Sequence, residues 1–211
     1  MAKLILASGS PRRRELLAQA GYVFEVRPAD VNEDVRAGEA PAAYVTRLAR
    51  EKALAVFEEA ETRDKGIGNS GLVVLGADTT VTLDGEILGK PADAADAARM
   101  LRRLGGRTHR VMTGVAVVTR PGDEDLPLGT LESNLRVESA VEVTAVEFAA
   151  MSDAEIAAYI ATGEPMDKAG AYGIQGMAAK WIPRIEGDYF NVVGLPLARV
   201  ARMIEGLGTR D

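Results

Sequence analysis

The N-terminal segment predicts a β-strand, a tight loop and the start of an α-helix. The apolar run Leu4–Ala7 is followed by Ser8-Gly9-Ser10-Pro11 and then by three consecutive arginines, Arg12–Arg14. Pro11 stands at the first helical position, which accepts proline, and Ser10 is the candidate cap. Cations are disfavoured in a first helical turn because they face the positive end of the helix dipole. The loop therefore suits a polyanion such as phosphate, although a solvated basic face on an ordinary helix would give the same pattern.

The order of the later segments predicts an α/β fold in one compact unit, residues 1–211. Further strands are predicted at Val23–Val26, Leu72–Ala77, Val81–Leu83, Glu86–Leu88, Val111–Thr119 and Leu135–Phe148, and near Trp181–Ile182. Further helices are predicted from Pro41 to Glu59, from an Asp93 cap to Leu104, from a capping box at Ser152 to Thr162, and over Pro196–Glu205. No repeat and no clear linker divides the chain.

Composition narrows the class of protein. The 211 residues are 47% hydrophobic and 27% charged, which is ordinary for a globular domain, and the net charge of −6 gives no reason to expect nucleic-acid binding. Cysteine is absent, which excludes disulfides and thiolate catalysis and is compatible with a reducing cytosol. No apolar run is long enough to span a membrane. We therefore expect a cytoplasmic protein that binds neither nucleic acid nor membrane.

Asp78 is the strongest single candidate for chemistry. It follows the apolar run Leu72–Ala77, which reads as a strand buried on both faces. Open α/β sheets bind ligands at the carboxyl ends of their strands, and a carboxylate there can bind a divalent cation or orient a water. The alternative is a cap for the following turn, through the backbone donors of Thr79 and Thr80.

Other charged residues have a functional and an ordinary interpretation. Lys90 is rigidified between Gly89 and Pro91 and could neutralise a phosphate, whereas Lys52, within a long helix, could equally be a surface lysine. Glu33 and Asp34 could be metal ligands or solvated loop charges. His109 is the only histidine, so we expect a structural role for it and no Ser-His-Asp hydrolase site.

The segment Asp167–Gly176 contains three glycines and two alanines beside a few polar side chains. Such a backbone can approach a ligand closely, and the amide of Gln175 presents a donor and an acceptor, as the edge of a nucleobase requires. A glycine-rich turn that holds the last helix against the sheet is the alternative.

Six motifs occur in the order in which they stand in the Maf family, and the resemblance runs from Leu4 to about Leu207. They are Ser8–Arg13, Gly76–Thr79, Gly89–Pro91, Thr113–Val115, Asp167–Gly176 and Asn191–Pro196. The resemblance implies an elongated, two-lobed α/β fold with a twisted mixed β-sheet and a deep central cleft, similar to the inosine triphosphate pyrophosphatases and commonly dimeric. It also implies a nucleoside triphosphate pyrophosphatase.

The resemblance assigns roles to individual residues. Asp78 matches the proton acceptor, and Mg²⁺ or Mn²⁺ would be held by Asp78 with Glu33. Arg12, Thr79 and Gln175 match positions of base specificity, and Arg12 paired with Asp78-Thr79 resembles the subgroup that acts on dTTP and UTP. The substrate-binding positions are Ser8, Ser10, Arg13, Lys52, Lys90 and Lys168. The segments Arg63–Gly71 and Arg120–Asn134 look extended relative to the family, which bears on oligomer contacts more than on chemistry.

The expected reaction is hydrolysis between the α and β phosphates, which yields a nucleoside monophosphate and pyrophosphate. The substrates would be dTTP and UTP, with modified pyrimidine nucleotides as further candidates, in a house-cleaning role linked to cell division arrest. The alternative is a nucleotide-binding regulator of septum formation that hydrolyses nothing. A nucleic-acid-binding protein is disfavoured by the net charge.

Overall fold

The computed structural model describes residues 3–63, 71–120 and 135–206. The segments Arg63–Gly71 and Arg120–Asn134 look extended relative to the family. Their residues 64–70 and 121–134 lie outside the described residues. The strands are β1 (Lys3–Leu6), β2 (Phe24–Val26), β3 (Leu72–Leu83), β4 (Glu86–Leu88), β5 (Arg107–Thr119), β6 (Arg136–Phe148) and β7 (Arg184–Glu186). The helices are α1 (Pro11–Gln19), α2 (Pro41–Arg63), α3 (Ala94–Leu104), α4 (Asp153–Ala161), α5 (Tyr189–Val193) and α6 (Leu197–Glu205).

The strands form one mixed sheet in the order β2-β1-β3-β5-β6-β7, with β4 paired to β3. β1 runs parallel to β2 and β3, whereas β3, β5, β6 and β7 pair antiparallel in turn. This arrangement confirms the predicted α/β fold with a mixed sheet. Among the described helices, none is long and apolar enough to cross a membrane.

Helices cover both faces of the central strands because β3 is apolar on both sides. Val73, Leu75 and Ala77 pack in a cluster with residues of α1 and α6, whereas Val74 packs with α2. A third cluster joins the far ends of β3 and β5 to α3 and α4. Two glycines let α2 approach closely, since a Cβ at Gly76 would lie 2.1 Å from the carbonyl oxygen of Ala49, and one at Gly114 would lie 2.2 Å from that of Val45.

The third strand is longer than the sequence predicts. The apolar run was expected to end at Asp78, but β3 continues to Leu83 because Asp78 and Thr79 pair with Gly114 and Thr113 of β5. The expectation that Asp78 lies at the carboxyl end of a strand is therefore wrong. It lies within a continuous antiparallel ladder.

Local signals predicted most other elements. The hairpin turn is confirmed, with positive φ at Asp84 and Gly85, as are the Asp93 cap and the Ser152 capping box. The strand predicted near Trp181 is wrong, because Met177–Trp181 forms a 3₁₀ helix and the strand is β7. The short helix α5 was not predicted.

Candidate active site

A gap in the pairing along β3 places the candidate site. On the edge of β3 opposite β5, β1 pairs with β3 only as far as Leu75, and β4 pairs only with Val81–Leu83. No strand among the described residues pairs with Gly76–Thr80 on this side, and we call this gap the β3 notch. Both β1 and β4 run towards it, so the loops that follow them, Ser8–Ser10 and Gly89–Lys90, lie beside the notch.

Asp78 points from the notch towards α2, where it meets two other charges. The Lys52 ammonium lies 2.8 Å from a carboxylate oxygen of Asp78 and 2.5 Å from one of Glu33. The side chains of Lys52 and Asp78 are only 9% and 11% exposed, whereas that of Glu33 is 51% exposed. One buried ammonium is thus shared by two carboxylates, one of which opens to solvent.

The ionisation of Glu33 depends on the cations of this site. Partial burial opposes its negative charge, but the hydrogen bond and the charge of Lys52 outweigh that effect, with smaller contributions from Lys90 and Arg13. The pKa of Glu33 is therefore lowered. Lys90 makes its contribution from the exposed loop after β4.

Thr79 points to the opposite face of the sheet, as alternation along a strand requires. Its hydroxyl accepts a hydrogen bond at 3.0 Å from the guanidinium of Arg13, which is buried. Arg13 also donates to the Ser8 hydroxyl at 3.0 Å and to the Gly194 carbonyl at 2.9 Å. Burial lowers the pKa of Arg13, and the charge of Asp78 opposes that shift. Arg13 therefore joins α1, β3 and the turn after α5 at the notch.

Two residues of α2 hold the acidic loop that carries Glu33. The Tyr44 hydroxyl donates to the Glu33 carbonyl at 3.0 Å, and Arg47 donates to the Asp34 carbonyl at 3.0 Å. Arg47 also donates hydrogen bonds to both carboxylate oxygens of Glu39, at 2.6 and 2.8 Å. These bonds lower the pKa of Glu39 to about 2. Burial raises the pKa of Tyr44 to about 12, and the charges of Asp78 and Glu33 add to this shift. Sequence analysis did not single out Tyr44 or Arg47 for the site, because no local pattern links them to the loop of Glu33.

The glycine-rich segment reaches the notch through two contacts. The Gly170 amide donates to the Gly89 carbonyl at 3.0 Å, and Arg12 donates to Asp167 at 3.3 Å. The Lys168 ammonium contacts the Glu164 carbonyl at 2.7 Å and the Asp167 carboxylate at 2.6 Å, so this lysine is held within its own segment. Gln175 lies exposed in a turn.

The structure thus brings together two groups of predicted site residues by direct contact, Glu33–Lys52–Asp78 and Ser8–Arg13–Thr79. Ser10 stands at the N-cap position of α1, but its side chain makes no capping hydrogen bond. His109 lies outside both groups, buried in β5 and 2.7 Å from the Tyr172 hydroxyl. Its structural role agrees with the sequence interpretation.

The donor set fits a divalent cation that a substrate helps to hold. Among residues 3–63, 71–120 and 135–206, no group of three or more histidine or acidic side chains is close enough to form a metal centre on its own. Glu33 and Asp78 nevertheless meet at one cation, Lys52. Mg²⁺ is commonly bound by one or two carboxylates together with substrate phosphates.

Comparisons with known proteins identify the family of the chain. The family model described as "Maf-like protein" matches residues 3–207. A protein of Koribacter versatilis named dTTP/UTP pyrophosphatase is 52% identical over 97% of this chain and 94% of its own. Proteins with the same name from Symbiobacterium thermophilum and Hahella chejuensis are 51% and 46% identical, each over 99% of this chain and 95% and 94% of their own. The chain therefore belongs to the Maf-like protein family.

Proposed function

We propose that this protein hydrolyses dTTP and UTP to the nucleoside monophosphate and pyrophosphate. The observation that carries the proposal is the buried Asp78 carboxylate in the β3 notch, with Lys52 and Glu33 in direct contact. Relatives of about half identical sequence and nearly equal length are named for that activity, which supports the same substrate class here.

The residues of the notch suit in-line attack of water on the α-phosphorus. Asp78 accepts the proton of the attacking water, and the bond between the α-phosphorus and the oxygen bridging to the β-phosphorus breaks. Pyrophosphate then leaves with the electron pair of that bond. The charge of the triphosphate is neutralised by Lys52, by Lys90 and by the N–H groups of Arg13 that are not bound to Ser8, Thr79 or Gly194. Ser8 and Ser10 lie in the loop that binds the phosphates.

A bound Mg²⁺ or Mn²⁺ would be held by Asp78 and Glu33 and by phosphate oxygens, and it would polarise the α-phosphoryl group. The chain's own contribution is to keep both carboxylates facing one point. Tyr44 and Arg47 do so for Glu33 through its loop, and the ladder with β5 does so for Asp78.

The nucleobase of the substrate binds at one side of the notch. That side is formed by Arg12, by Thr79 and by the glycine-rich segment, which carries Lys168 and Gln175. Pyrimidine triphosphates, including modified ones, are the proposed substrates. We place the reaction in the cytoplasm, in one domain spanning residues 1–211, as a house-cleaning activity. A homodimer is the proposed oligomeric state.

The substitution Asp78→Asn tests the proposal. It removes the proton acceptor while keeping the size of the side chain, so pyrophosphate release from dTTP and UTP should fall about 10²–10⁴-fold. Thermal unfolding should still be cooperative. Asp153→Asn, at a side chain 80% exposed on α4, is the matched control and should keep full activity.

Three results would contradict the assignment. Full activity of the Asp78→Asn variant would remove Asp78 from the chemistry. Tight dTTP binding by the unaltered protein without pyrophosphate release would favour the non-hydrolytic regulator. Faster turnover of 7-methyl-GTP than of dTTP and UTP would overturn the substrate subgroup.

A further inference from the structure

We call Glu33, Lys52 and Asp78 the reacting cluster. A carboxylate outside this cluster closes the segment that carries Gln175. We call residues 164–177 the Gln175 loop. The Met177 amide at its end donates to Glu164 Oε2 at its start, at 3.0 Å. Its ends are therefore joined by one side chain, in the manner of an Ω-loop.

The other oxygen of Glu164 ties the loop to the core. Glu164 Oε1 accepts a hydrogen bond from the Tyr159 hydroxyl at 2.8 Å, and that hydroxyl accepts one from the Gly173 amide at 3.3 Å. The ring of Tyr159 is fully buried and packs edge-on against Trp181, with centroids 5.5 Å apart. Glu164 thus connects both sides of the Gln175 turn, at Gly173 and at Met177, to a rigid point of α4.

The loop backbone lies directly on this carboxylate. A Cβ at Gly176 would lie 2.1 Å from Glu164 Oε1, and one at Gly173 would lie 2.7 Å from Lys168 Cε. Ala171 has a positive φ of 60°, an uncommon conformation for a residue other than glycine. These contacts add to the 3₁₀ helices Glu164–Asp167 and Ala169–Ala171 in holding the conformation of the loop.

Glu164 also affects the loop's contact with α1. Its backbone carbonyl accepts from Lys168 Nζ at 2.7 Å, and the same ammonium holds the Asp167 carboxylate that pairs with Arg12. Two of the three proposed base-specificity residues, Arg12 and Gln175, are therefore connected to Glu164 through short chains of contacts.

We propose that Glu164 is a positioning residue for base recognition. It does not touch the reacting atoms, and it acts by fixing the Gln175 loop at the side of the notch. The proposal rests on the proposed function, because it assumes that the base lies against this loop. Losing this carboxylate should then weaken the binding of the correct base more than it slows hydrolysis.

The test is Glu164→Gln in the full-length protein, assayed by pyrophosphate release with dTTP, UTP and dCTP. Glutamine keeps the size but offers only one carbonyl oxygen to the Tyr159 hydroxyl and the Met177 amide, so one donor loses its acceptor. A lost hydrogen bond to a charged group predicts that KM for dTTP rises about 10- to 100-fold, with kcat changed less than about 3-fold. The preference for dTTP over dCTP should narrow. Tyr159→Phe should change KM in the same direction, and the double variant should lose less than the product of the two effects.

Glu155→Gln is the control. Its carboxylate accepts a hydrogen bond from the Ser152 amide at 2.8 Å in the capping box of α4, the helix that carries Tyr159. The substitution should therefore lower the unfolding temperature without changing KM or base preference. Unchanged KM and base preference in Glu164→Gln, or an equal loss of kcat for all nucleotides at unchanged KM, would overturn the proposal. Absence of activity in the unaltered protein would instead contradict the proposed function itself.

Discussion

At the scale of single residues, the buried ionisable side chains of Arg13 and His109 are accommodated in different ways. Arg13 keeps its charge because oxygen acceptors on three elements receive its N–H groups. His109 has no acidic partner, and burial alone lowers its pKa to about 4. It therefore stays neutral, with Tyr172 as its hydrogen-bond partner. Hydrogen bonds stabilise the charge of Arg13, whereas His109 carries no charge.

The neutral state of His109 predicts how stability depends on pH. A folded-state pKa below the unfolded value of about 6.5 means that the unfolded chain binds the proton more tightly. The stabilisation is complete above pH 6.5 and is lost as the pH falls towards 4. Because the chain has no other histidine, the free energy of unfolding should drop by about 2 kcal/mol between pH 7 and pH 5.

Urea unfolding at the two pH values measures this change. His109→Gln removes the titrating group, so its free energy of unfolding should be lower at pH 7 but much less dependent on pH. If the free energy of unfolding of this variant fell equally steeply between pH 7 and pH 5, carboxylates rather than His109 would dominate the pH dependence in that range.

At the scale of elements, the register of α2 on the sheet sets the reacting cluster. Lys52 reaches Asp78 because Gly76 and Gly114 let the helix backbone approach the two central strands. Gly114 is also the residue paired with Asp78. The small residues and the charged pair are therefore parts of one contact between helix and sheet.

Gly114→Ala should push α2 away from the sheet. Its Cβ would lie 2.2 Å from a backbone oxygen that cannot rotate aside, and overpacking of this kind costs about 1–3 kcal/mol. Chemical denaturation should show that loss, and the turnover of dTTP should fall because Lys52 moves with the helix. Gly89→Ala, with no atom within 4 Å of the added Cβ, controls for the stability measurement. Equal stability of the two variants would contradict the close contact.

Local signals predicted the described α-helices other than α5, the hairpin, and the caps at Asp93 and Ser152, because capping residues and turn residues act within a few positions. They misplaced the end of β3, since aspartate is uncommon in strands and the pairing partner Gly114 is distant in sequence. The motif residues of the candidate site could be named from the sequence, and the structure brings two groups of them into contact. The contacts of Glu33, the positions of Tyr44 and Arg47, and the role of Glu164 depend on tertiary geometry that no local pattern carries.

At the scale of the whole molecule, the β3 notch draws on most of the fold. Its contacts come from the loops after β1 and β4, from α1, α2 and β3, and from the Gln175 loop. A ligand in the notch would contact the loops after β1 and β4 together with the Gln175 loop. Its binding energy should therefore stabilise the molecule as a unit rather than one loop.

A non-hydrolysable α,β-imido analogue of dTTP with Mg²⁺ tests this coupling. At about 100 times its dissociation constant it should add about 2.7 kcal/mol to the free energy of unfolding, which corresponds to a rise in Tm of about 5–10 °C. The dCTP analogue at the same concentration should give a smaller rise. Lys52→Met should lose most of the rise, because one phosphate-neutralising cation is removed. Equal shifts with both analogues would contradict base recognition, and an unchanged shift in Lys52→Met would place the triphosphate outside the notch.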